Sequence, residues 1–169
     1  MARGLNKPHI LLASKNVMTM IENLNHLLNQ TEVDKLTHEI DRNVSALFVL
    51  GKSHFDFAAP LTERDWRQKI SRFYYGVYNV RRAVALKYSG TYSIDVSDHK
   101  NVDQLPDDFL NRESHIDNLK TLREDRNLAD YSHLATMSDL IVSPIDAQGF
   151  ATRFIADSRT FLHQRSVRV

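Results

Sequence analysis

The chain has 169 residues, 42% of them hydrophobic and 25% charged, with a formal net charge of +1 and no cysteine. That length suits one domain with a core of its own. Without cysteine, disulfides, thiolate metal sites and a cysteine nucleophile are excluded, and near-neutrality means that any basic surface is local.

No apolar run approaches the roughly 20 residues that a membrane-spanning helix needs. The apolar stretch in the opening MARGLNKPHILLAS is too short for a secretory signal. A cytoplasmic protein with no membrane partner is the expectation. The four prolines, Pro8, Pro60, Pro106 and Pro144, all fall between periodic segments. A first helix is expected from Ile10 or Ser14 to Asn29, with Val17, Ile21, Leu24 and Leu28 on one face. Thr31 can cap a second helix, which carries Val33, Leu36, Ile40, Val44 and Leu47 and ends near Gly51 or His54. Thr62 can cap the third and longest, with Glu63 and Asp65 in its first turn, where the helix dipole favours acids. Trp66, Ile70, Phe73, Val77, Val80 and Val84 repeat along it, and Gly90 is its natural stop. After a polar connection from Thr91 to Gln104, a fourth helix runs from Pro106 to about His133, broken near Asn111. Ser143 and Pro144 open the last helix, which carries Ile145, Phe150, Phe154, Ile155, Phe161 and Leu162. The expected fold is all-α, an up-and-down bundle of four to five helices in a single domain over 1–169.

Within the fourth helix, Leu119, Leu122, Arg126, Ala129 and His133 follow a three-four spacing. Seven helical steps turn the chain about 700°, so Arg126 and His133 are expected on one face, roughly 10 Å apart. A cation on an apolar stripe is costly unless something pairs with it. Two readings follow: an intrahelical ion pair of Arg126 with Asp130, or a polar site where helices or subunits meet.

The segment ISRFYYGVYNVRRAVALKYSG, Ile70 to Gly90, resembles the central helix of HEPN domains. Asp98, His99 and Lys100 resemble the His-containing loop that such domains often carry farther on. LREDRNLADYSH, Leu122 to His133, is similar to their later helix, which ends in an Arg followed by a His or by Ala-Asp-Tyr. The resemblance covers roughly Asp65 to Leu162. It implies a HEPN-like core over about 62–165, preceded by an N-terminal helical pair over about 10–55.

The resemblance implies a homodimeric, metal-independent endoribonuclease of toxin, defence or stress type. In such a domain the 2′-hydroxyl of the RNA attacks the neighbouring phosphorus. Arg126 would hold the scissile phosphate, His133 would be the general acid or base, and Asn127 would orient the Arg or bond the substrate. Asp130 would orient His133 on a neighbouring chain, or neutralise Arg126 and leave a structural site. Tyr131 would stack on substrate, be modified, or simply finish a core helix. No cofactor is implied, and the partners would be RNA, a second copy, and an antitoxin or nucleotidyltransferase. The alternative is a non-catalytic module of the same fold that dimerises or binds a partner protein.

The residue types suit the chemistry. A guanidinium fits two phosphate oxygens and stays charged. An imidazole with an ordinary pKa near ~6.5 can both take and give a proton. Arg123, one turn before Arg126, and Arg82 on the third helix are further candidates for phosphate. Arg81 recurs with Tyr74 and Tyr88 at seven-residue spacing, which suits a cation–π stack or a buried pair. Tyr74, Tyr75 and Tyr78 read as core or interface, and His99 as a solvated loop residue. His38 with Asp34 or Asp41 has helical ligand spacing but reads as solvated surface, so no metal site is expected.

Overall fold

The architecture follows from one helix that is buried over most of its surface. A computed structural model describes residues 16–92 and 96–169, and among them it is all-helical, with five α-helices and no strand. These are α1 (Val17–Leu24), α2 (Gln30–Ala58), α3 (Trp66–Ser89), α4 (Arg112–Tyr131) and α5 (Pro144–His163). Short 3-10 turns at Glu63–Asp65, Val96–Asn101 and Met137–Asp139 lie in the connections. No helix among the described residues is long and apolar enough to cross a membrane. The expected start of the first helix, at Ile10 or Ser14, lies outside the described residues, as does the opening segment.

Helix α3 buries Ile70, Phe73, Tyr74, Val77, Val80, Ala83 and Val84 completely. A helix buried on several sides belongs in the middle, and α3 packs against α2, α4 and α5. Those helices each turn one stripe toward it: Val44, Leu47 and Phe48 from α2, Leu119 and Leu122 from α4, Phe150, Phe154 and Leu162 from α5.

Several boundaries differ from expectation, each for a local reason. Helix α1 closes at Leu24 rather than Asn29, because Asn29 is the N-cap of α2. Its side chain accepts from Glu32 N at 3.1 Å, and the Glu32 carboxylate accepts from Asn29 N at 2.8 Å. That capping box displaces the expected cap, Thr31. Helix α2 does not stop at Gly51 or His54 but continues to Ala58. Gly51 is there for contact: a Cβ on it would lie 2.5 Å from Gly76 O and 2.7 Å from Val80 Cγ2, so α2 and α3 touch backbone to backbone. Thr62 opens a 3-10 turn, and α3 proper starts at Trp66. Gly90 does end α3, with φ 68°, and its carbonyl accepts from Val17 N at 2.9 Å, tying α1 to this end. The helix expected from Pro106 does not form before Asn111: residues 106–111 are turn and coil, Asn111 stands at φ 55°, and α4 begins at Arg112. Ser143 caps α5 through Asp146 N at 3.1 Å, but Ile145 is 70% exposed and belongs to no core.

Candidate functional site

Helix α4 ends at Tyr131, and Ser132 is extended at φ −94°, ψ 102°. The seven helical steps from Arg126 to His133 therefore do not exist. His133 is exposed in the connection and is absent from the walls of the Arg126 cleft. The cause is tertiary. Arg67 of α3 donates to Ala129 O at 2.7 Å and to Ala135 O at 2.6 Å, satisfying a last-turn carbonyl and drawing the chain away from the helix axis. Asp125, 1% exposed, accepts from Ile141 N at 2.8 Å and Val142 N at 3.1 Å. Burial pushes its carboxyl above the ordinary range despite these two bonds.

Arg126 instead faces a cleft of about 760 Å³ lined by α3, the 3-10 turn Val96–Asn101 and α4. Tyr74 and Tyr75 form one wall, Arg123, Asn127 and Tyr131 the other, and His99 and Lys100 the edge between them. The Arg126 side chain is only 12% exposed. It donates to Tyr75 Oη, and to Asn127 Oδ1 at 3.0 Å. Its Nε lies 2.7 Å from Asp130 Oδ2. That contact is an ion pair off the N–H direction, since Nε makes no hydrogen bond. The guanidinium carbon lies 5.0 Å from the Tyr131 ring centre, 5.1 Å from Tyr75 and 5.7 Å from Tyr74. Desolvation works against the charge, but Tyr75 and Asp130 outweigh it, and the guanidinium titrates above its ordinary value.

His99 is the residue that spacing alone did not bring here. Its Nδ1 lies 2.7 Å from Tyr74 Oη, and its ring stacks on Tyr78 at 4.2 Å between centres. Burial first, and then Tyr78, raise the Tyr74 hydroxyl far above its ordinary value, partly offset by Arg126. Tyr74 thus keeps its proton and can donate it to Nδ1, which leaves the neutral imidazole protonated on Nε2. Arg123 Nη1 reaches the His99 carbonyl at 3.5 Å. The tyrosine pair of α3 thus combines core and site: Tyr74 is fully buried, yet its hydroxyl holds the imidazole.

The other candidates are dispersed. Arg82 lies over Tyr78 at 5.5 Å and Tyr92 at 5.1 Å and donates to Asn79 Oδ1 at 3.3 Å, outside the walls of the cleft. Arg81 is 5% exposed and donates to Gln104 O at 3.2 Å, a buried structural contact. Asp34 accepts from Gln30 at 2.8 Å and Asp41 pairs with Lys87 at 2.6 Å, so neither is set aside for a ligand with His38.

The cleft can hold an anion beside aromatic rings. Lys100, Arg123 and Arg126 supply positive charge, Asp130 touches Arg126, and His99 adds an imidazole that can exchange a proton. No protein-family model matches this sequence, and no curated protein is significantly similar to it.

Proposed function

We propose that the chain is a HEPN-like domain that binds an RNA phosphodiester at Arg126 and cleaves it without a metal ion. One observation carries the reading. The two segments that resemble HEPN helices, α3 and the end of α4, face each other, and the turn carrying His99 closes the cleft between them. The cations and the imidazole converge at that junction.

In this reading Arg126 pairs with the non-bridging phosphate oxygens and stabilises the charge that grows on them. The 2′-hydroxyl attacks phosphorus and gives up its proton to water. The bond to the 5′-oxygen breaks, and that oxygen takes a proton from the doubly protonated, cationic form of His99, which is left neutral. The products are a 2′,3′-cyclic phosphate and a 5′-hydroxyl. His99 takes the acid–base role that the resemblance implies for His133, because it lines the cleft and His133 does not. Proton transfer of this kind contributes ~10²–10⁴-fold. The reading includes a homodimer, supported by Tyr131, exposed at the wall of the cleft, and by the exposed Leu134, Ile141 and Ile145 farther along the chain. A toxin, defence or stress effector, held in check by an antitoxin or nucleotidyltransferase, is the matching cellular role.

A second reading, a non-catalytic module of the same fold, is favoured by the Arg126–Asp130 ion pair and by His133 standing apart. Incubation with RNA in EDTA separates the two. Cleavage lost in Arg126→Ala, reduced about 100-fold or more in His99→Ala and retained in His133→Ala supports the enzyme. Intact RNA across substrates and pH supports the module. Loss of cleavage in His133→Ala alone returns the role to His133.

A further inference from the structure

Three groups hold the Arg126 guanidinium, and only one of them cancels its charge. Tyr75 and Asn127 are neutral acceptors that fix the fork. Asp130 brings a carboxylate to 2.7 Å from Nε without completing a hydrogen bond there. An anion arriving at Arg126 meets a position already holding an oxygen of like charge. Asp130 is placed there by the last turn of α4, four residues after Arg126. That turn is secured from outside the helix: Arg67 grips Ala129 O just before Asp130 and Ala135 O just after the turn. The Arg67 guanidinium is itself stacked on the Trp66 ring at 4.6 Å.

We infer that Asp130 is an internal competitor for the anion on Arg126, and that Arg67 is the positioning residue that keeps it in place. The inference rests on the reading of the cleft as a phosphate site. Binding then requires the Asp130 carboxylate to yield Nε, and anything that loosens the last turn of α4 exposes the full charge of Arg126. Asp130 thereby sets the threshold affinity of the site.

The test is the affinity of the full-length chain for a fluorescently labelled single-stranded oligoribonucleotide, read by anisotropy. Asp130→Asn keeps the size and an acceptor oxygen and removes the charge. It should bind roughly tenfold tighter, the scale of one charge removed at close range in a partly screened site. Glu124→Gln makes the same change of net charge on the exposed side of α4 and should gain much less. Arg67→Gln removes a cation, which ordinarily weakens RNA binding, but here should strengthen it several-fold while helix content by circular dichroism stays unchanged. Equal or weaker binding by Asp130→Asn while the wild type binds overturns the inference and leaves the phosphate site standing. A gain no larger than that of Glu124→Gln overturns it too. Failure of the wild type and every variant to bind refutes the phosphate reading itself.

Discussion

Among the described residues three glycines lie inside helices, and the structure assigns their alanine variants different signs. Each change gains helix propensity, about 1 kcal/mol in favour of alanine. Against that stands whatever the new methyl meets. At Gly51 it would lie 2.5 Å from Gly76 O, 2.7 Å from Val80 Cγ2 and 3.0 Å from Val80 N, two of the three being backbone of α3. Backbone cannot swing aside, so α2 and α3 must separate and loosen the contacts of Val44 and Phe48 with the core. Overpacking of this kind costs about 1–3 kcal/mol, sometimes more, and with main-chain atoms as the obstacle the upper end applies. The net expectation for Gly51→Ala is a loss of about 2 kcal/mol. At Gly76 the nearest atom is Gly51 O at 3.2 Å, so the two effects nearly cancel. At Gly149 it is the far end of Arg153 at 3.5 Å, and the variant should gain about 0.5–1 kcal/mol. Urea unfolding at constant slope reads all three as midpoint shifts. A Gly51→Ala variant as stable as the wild type, or a ranking that does not run Gly149, Gly76, Gly51, would refute the backbone contact between α2 and α3.

The connection after α4 offers a second test. Asp125→Ala leaves Ile141 N and Val142 N without their acceptor and should cost roughly 2 kcal/mol, read by urea unfolding. Because burial raises the Asp125 pKa above the ordinary 3.8, the native state holds this proton more tightly than the unfolded chain. Its contribution to stability therefore falls as pH rises from about 3.8 through the raised native value, and Asp125→Asn should remove that component of the slope. His54 runs the other way in charge: burial, and then Arg72, hold it below the ordinary 6.5, so its contribution to stability is lost as pH falls below 6.5 through the lowered native value. Proton NMR of the ring should show that midpoint rise in Arg72→Met. Sedimentation velocity tests the proposed homodimer: Leu134→Glu, at a residue 81% exposed, should leave the fold intact and shift any dimer to monomer.

The fold was legible wherever a residue's local chemistry and its tertiary role agree. Gly90 adopts the left-handed conformation that ends a helix, and Ser143 with Pro144 starts one, as spacing implies. Gly51 is the counter-example. A glycine reads as a helix end because it lacks a side chain, and the same lack is what lets two backbones meet in the middle of α2 and α3. Nothing within one segment distinguishes these uses; only the pairing of Gly51 with Gly76 does. Asn29 was recoverable, since Asn29 and Glu32 have capping-box spacing on their own.

The site divides along the same line. Arg126 was legible because a cation on the Leu119, Leu122, Ala129 stripe demands a partner, and Asp130, Tyr75 and Asn127 are those partners. His133 was misplaced because helical periodicity was extended two residues past the point where Arg67, sixty-two residues away from Ala129, takes hold of the helix end. A periodic pattern shows which residues would share a face if the helix continued, and it carries no information about a carbonyl captured from another helix. His99 was read as a solvated loop residue for the complementary reason. A loop histidine has no period to betray it, and only the burial of Tyr74, whose hydroxyl needs a partner inside the bundle, calls for an imidazole at that point. A buried tyrosine hydroxyl on the central helix is therefore the better sequence-level pointer to this site than the seven-residue spacing. It is also the harder one to use, because it names the need for a polar partner without naming the partner.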